Sequence, residues 1–126
     1  MKNLNACTSD ETLNFIQLYF ATVDLLTEAL EKYRRLSVES TTTNKRSHYR
    51  ALALESERNL ELLKNQRRAF LDNDLVIRPP SSETVSKVKQ MAAELAKIIA
   101  KDAKANEIID LATKGLSAFN EVINAA

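Results

Sequence analysis

Apolar residues recur every three or four positions through most of this 126-residue chain, which is the spacing of amphipathic α-helices. Thr8 and Glu11 stand in capping-box spacing, so each side chain can satisfy a backbone amide in the first helical turn. The pattern predicts a first helix from near Ser9 to residues 36–38. Its apolar positions form a stripe expected in the core and a second stripe beside it: Ile16, Tyr19, Val23, Leu26, Leu30 and Tyr33, then Phe15, Leu18, Leu25, Ala29 and Leu36. A helix apolar over more than half its circumference is expected to contact two neighbours.

A second helix is predicted to end at about Leu71, with Asn44 or Ser47 as its N-cap. The positions expected to face the core are Tyr49, Leu52, Ser56, Leu60, Leu63, Arg67 and Phe70. Two consecutive prolines, Pro79 and Pro80, then prevent a continuous helix. The apolar run 75–77 just before them is expected to close the end of the bundle rather than to receive a partner.

The last third of the chain keeps a three-four alternation without a slip from Val88 to Ile123. A single helix must preserve this phase, whereas a turn between two helices has no reason to do so. The sequence therefore predicts one helix over about 82–124, roughly 60 Å long at 1.5 Å per residue. The alternative is a four-helix up-down-up-down bundle with a turn at 102–106.

A third helix of this length would project beyond the first two and leave apolar residues exposed. Monomers rarely leave a contiguous apolar surface in water, and most soluble oligomers are symmetric. A protein partner is therefore expected, with a second copy of the chain as the simplest one. The predicted partner interface comprises Ile108, Leu111, Leu116, Phe119, Val122 and Ile123.

Composition supports an all-α antiparallel bundle in a single domain, 1–126, with residues 1–8 as a flexible tail. The chain has one glycine, two prolines and no tryptophan, a balance that favours helix over sheet. Gly115 is expected to permit close helix packing. The single cysteine, Cys7, and the lack of a basic segment followed by a continuous apolar one predict a cytoplasmic protein without a membrane span. Export by a non-Sec route stays open.

Catalytic chemistry finds little support in the residues. The single histidine, His48, lies between arginines and lacks the carboxylate spacing of a di-iron helix pair. One glycine cannot build a phosphate-binding loop, and one cysteine excludes a zinc site made mainly of thiolates. We therefore expect no catalytic residues, metal site or cofactor, and a protein that is not an enzyme.

Helix two carries the strongest local charge. Residues 45–68 contain seven Lys or Arg and three Glu. This excess is typical of a solvated helix face, but it could also bind phosphate. Candidate phosphate contacts are Arg50, Arg58, Lys64, Arg67 and Arg68. The favoured function is a non-enzymatic helical interaction module of the adaptor, chaperone or neutralising type; the alternative is a nucleic-acid-associated protein that uses this basic face.

Overall fold

The computed structural model describes residues 1–100 and 104–123. Within these residues the fold consists of four α-helices, α1 (Ser9–Glu39), α2 (Thr43–Leu71), α3 (Ser82–Ala100) and α4 (Ala105–Ile123), preceded by a short 3₁₀ helix, Leu4–Ala6. The predicted all-α antiparallel bundle is confirmed. None of the described helices combines the length and the apolar character needed to cross a membrane.

Local side-chain chemistry fixes where the first two helices begin. The Thr8 hydroxyl accepts a hydrogen bond from the Glu11 amide at 3.1 Å, and the Glu11 carboxylate accepts one from the Thr8 amide at 2.9 Å, so the predicted capping box is confirmed. Helix α2 is capped by Thr42, whose hydroxyl accepts from the Lys45 amide at 3.3 Å, and not by Asn44 or Ser47. Thr42 takes this role because its backbone is extended just before the first helical turn.

The chain does not continue as one helix from 82 to 124. Helix α4 runs back along α3, so that the Arg78 amide donates to the Val122 carbonyl at 2.9 Å, although a continuous helix would separate these ends by roughly 60 Å. The four-helix alternative is therefore correct. Residues 102 and 103 of the predicted turn, 102–106, lie outside the described residues. The unbroken three-four spacing does not distinguish one helix from two, because α3 and α4 each need an apolar stripe of the same period.

Helix α1 is the central element, because it packs against α2, α3 and α4. Its fully buried Phe15 lies 4.3 Å from the ring centroid of Phe70 in α2 and 5.8 Å from that of Phe119 in α4. Burial of three phenylalanine rings at one point accounts for much of the apolar stabilisation at this end. The end of α4 is thus part of the core.

Gly115 permits the close approach of α4 to α1, as predicted. A Cβ atom built at this position would lie 2.0 Å from Cδ2 of Leu25, far below an ordinary contact of about 3.5–4.0 Å. Leu25 is fully buried, so any larger residue at 115 must displace a core side chain.

The N-terminal residues and the segment before α3 close the end of the bundle. Lys2 and Ile77 exchange two backbone hydrogen bonds of 2.8 Å in an antiparallel bridge, and the Lys2 ammonium lies 2.9 Å from the Glu11 carboxylate. Ile77 is fully buried, as predicted for a closing segment. Residues 1–8, predicted as a flexible tail, are thus joined to the bundle through Lys2.

The two helical hairpins differ in length. Helices α1 and α2 have 31 and 29 residues, about 46 and 44 Å, whereas α3 and α4 have 19 each, about 28 Å at 1.5 Å per residue. Both hairpins share the end where Phe15 meets Phe70 and Phe119. The α1–α2 hairpin therefore projects by about 15 Å. We call residues 34–50, at its far end, the hairpin tip.

Candidate protein-interaction surface

The predicted partner interface on α4 is occupied by the chain's own core. Ile108 and Phe119 are fully buried and Val122 is 5% exposed. The remaining three, Leu111, Leu116 and Ile123, are partly buried and pack against the same core. The apolar overhang from which the interface was predicted is not formed, because α4 folds onto α1.

A different apolar surface remains exposed, on α1. Leu13 and Phe20 are 53% and 51% exposed, and Ile16 and Val23 between and beyond them are partly buried. The successive spacings of three, four and three residues place all four on one face of the helix. We call these four residues the α1 stripe. It is about 15 Å long, the length of one helix-helix contact.

Aromatic contacts hold the central residue of the α1 stripe in place. The Phe20 ring lies edge-on to the ring of Tyr19 at 5.3 Å between centroids. The guanidinium of Arg67 in α2 lies 5.2 Å from the Tyr19 centroid, a cation-π distance. Phe20 therefore belongs to a cluster with Tyr19 and Arg67, and tyrosine and arginine are enriched in interface hot spots.

Arg67 also carries an unsatisfied donor beside this cluster. Its Nε is buried, and it has no hydrogen-bond partner among residues 1–100 and 104–123. A buried donor left unpaired costs about 1–3 kcal/mol. Arg67, a predicted phosphate contact, is therefore oriented toward α1 instead of extending into solvent.

The five candidate phosphate contacts do not share one face of α2. Arg50, Arg58, Lys64 and Arg68 are exposed, but Arg67 is half-buried against Tyr19. At 100° per residue the other four lie within an arc of about 120°, and Glu57 and Glu61 lie in the same arc. Only Arg50 belongs to the hairpin tip.

A cleft of about 160 Å³ with mixed polar and apolar lining lies between α1, α2 and α4. Its lining includes Tyr33 and Ser56, both buried, and one carboxylate, that of Glu55. Burial and the negative charge of Glu55 raise the pKa of Tyr33 to about 12. A phenol held neutral in this way is a weak general base at neutral pH.

The residues considered for chemistry are not assembled into a catalytic or metal-binding group. His48 is exposed, and its ring lies 5.4 Å from that of Tyr49. Burial and the nearby Glu11 raise the pKa of the Cys7 thiol, which lowers its reactivity. In the part of the chain that the structure describes, no three metal-ligating side chains come together.

Sequence reasoning missed the α1 stripe because it assigned Ile16 and Val23 to the core. The spacing of Leu13, Ile16, Phe20 and Val23 places them on one face. Helix α1 has so many apolar positions, however, that the sequence alone does not show which of them stay exposed. Comparison with known proteins gives no further guide, since no family model, no curated protein and no solved structure matches this chain.

Proposed function

We propose that this chain is a non-enzymatic helical interaction module that binds a second copy of itself through the α1 stripe. The observation that carries the proposal is the half-exposure of Leu13 and Phe20 on one face of the central helix. Because the apolar face of α4 is buried against the core, we assign the partner contact to the α1 stripe.

Charge favours a second copy as that partner. Helix α1 has six acidic and three basic residues, a net charge of −3, and α2 has three acidic and seven basic residues, a net charge of +4. Each copy therefore offers an acidic helix that carries the stripe and a basic helix beside it. Two copies can pair opposite charges around the apolar contact, which guides orientation and association rate more than affinity.

The expected affinity follows from the exposed area. Burying the exposed halves of Phe20 and Leu13, about 100 Å² each, contributes about 2.5 kcal/mol for each side chain. Two copies give about 10 kcal/mol, against an association cost of about 4–15 kcal/mol. The dimer is therefore weak and depends on protein concentration.

Sedimentation velocity from about 5 to about 500 μM tests this proposal in the range where such small interfaces associate. The wild-type chain is expected to shift from monomer to dimer, and Phe20→Glu to remain monomeric. Leu62→Glu is the matched control, because Leu62 is 52% exposed on α2 and lies outside the stripe; it should dimerise like the wild type. Leu13→Glu is a second stripe variant, and circular dichroism confirms that each variant stays helical.

A wild-type chain that stays monomeric over the whole range would overturn the second-copy proposal. Equal loss of dimer in Phe20→Glu and Leu62→Glu would show that added charge, and not the stripe, controls association.

A further inference from the structure

The hairpin tip concentrates positive charge. Residues 34–50 contain five basic residues and one acidic residue, a net charge of +4, in a chain whose total is +1. The rest of the molecule therefore carries a net charge of −3. This asymmetry places the positive charge at the end that projects beyond α3 and α4.

Tertiary structure creates this cluster by joining the ends of two helices. Arg34 and Arg35 belong to the last turns of α1, and Lys45 and Arg46 to the first turn of α2. The Ser37 hydroxyl donates to the Arg46 carbonyl at 3.3 Å, which ties the two helices together at the tip.

Most of the cluster is available to a ligand. Arg34 is paired with Glu57 of α2. The other four bases are exposed and have no ion pair within 4.0 Å among residues 1–100 and 104–123: Arg35, Lys45, Arg46 and Arg50. Four unpaired cations on one projection create a local positive potential that attracts polyanions.

The electrostatics of α2 strengthen this potential. Its first turn has no acidic residue, although the positive end of a helix dipole normally favours one. Lys45 and Arg46 occupy that turn instead and add to the positive charge. The arrangement is unfavourable in isolation, and an anion bound across the tip would offset it.

We infer that the hairpin tip binds the phosphate backbone of nucleic acid. Three of the four unpaired bases are arginines, whose planar guanidinium groups bind phosphate through two donors. The exposed ring of His48 and the partly exposed ring of Tyr49 are adjacent, and aromatic rings can stack on bases. A membrane surface fits less well, because Val38 is the one large apolar residue of the tip that is exposed and membrane-binding helices need a broad apolar face.

Fluorescence anisotropy with a labelled single-stranded oligonucleotide of about 20 nucleotides tests the inference. With four phosphate contacts, a rise in salt from about 50 to about 200 mM should weaken binding about 50-fold, from a logarithmic slope of about −0.7 per contact. The double variant Arg46→Glu with Arg50→Glu should bind at least about tenfold more weakly at about 50 mM salt, because it loses two contacts and adds two repulsive charges.

Lys89→Glu with Lys97→Glu is the matched control. It makes the same change in net charge at two exposed lysines of α3, so its affinity should stay close to that of the wild type. A similar loss in both double variants would show that only overall charge matters and would overturn the assignment to the tip.

Two further results would also overturn it. One is the absence of oligonucleotide binding by the wild type at about 50 mM salt, where phosphate contacts are strong. The other is binding to vesicles containing phosphatidylserine without binding to the oligonucleotide, which would identify a membrane surface as the ligand of the tip.

Discussion

Replacing Gly115 with alanine tests whether α4 packs on α1 as the structure shows. In a helix without a close neighbour, this substitution stabilises by about 1 kcal/mol, because alanine loses less backbone entropy than glycine. Here the new Cβ would lie 2.0 Å from Cδ2 of Leu25. The sign of the change in stability therefore distinguishes an α4 that packs on α1 from one that does not.

The magnitude follows from two opposed contributions. Leu25 is fully buried, so its side chain has no open space to move into, and overpacking of this kind costs about 1–3 kcal/mol. The overlap of about 1.5 Å relative to a normal contact places the cost near the upper end. After the gain in helix propensity, Gly115→Ala should destabilise the protein by about 1–2 kcal/mol.

Urea unfolding followed by circular dichroism measures this effect in a double-mutant cycle. Leu25→Ala alone should cost about 2–5 kcal/mol, but it removes the atom with which the new Cβ collides. In that background Gly115→Ala should stabilise by about 1 kcal/mol, which gives a coupling energy of about 2–3 kcal/mol. Ser117→Ala, at an exposed position of the same helix, is the control and should stabilise by a few tenths of a kcal/mol.

A Gly115→Ala protein more stable than the wild type, with no coupling to Leu25, would refute the close packing of α4 on α1. Such a result would instead favour a single continuous helix over about 82–124 as the explanation of the regular apolar spacing.

Two further predictions concern the start of α1 and the buried phenol. Thr8→Ala should lower the free energy of unfolding by about 1 kcal/mol, because it removes the acceptor of the Glu11 amide, whereas Thr8→Ser keeps the hydroxyl and should cost much less; equal losses would contradict a capping role. The folded-state pKa of Tyr33 is raised from 10.0 to about 12, so its stabilising contribution is present below pH 10 and is lost as the pH rises toward 12. Urea unfolding on both sides of this window should show a steeper fall for the wild type than for Tyr33→Phe, and parallel falls would exclude Tyr33 as the cause.

The sequence determined the features that depend on neighbouring residues. The capping box at Thr8 and Glu11, the interruption at Pro79 and Pro80, and the core-facing positions of α2 could be predicted because each follows from a backbone hydrogen bond, a missing amide or a local period. The need for a residue without a side chain at Gly115 was also visible. These parts of the fold agree with the structure.

Only the tertiary structure decided what depends on distant segments. Whether the chain turns after Ala100 is a choice between two arrangements with the same apolar period, and burial of Phe119 against Phe15 selects the turn. The same choice covers the predicted interface on α4 and leaves the α1 stripe exposed. It also makes α1 and α2 the longer hairpin, which places Arg35, Lys45 and Arg46 in the same projecting tip. The spacing of apolar residues shows which face of a helix is apolar. Which of these faces is buried against another helix depends on how the whole chain packs.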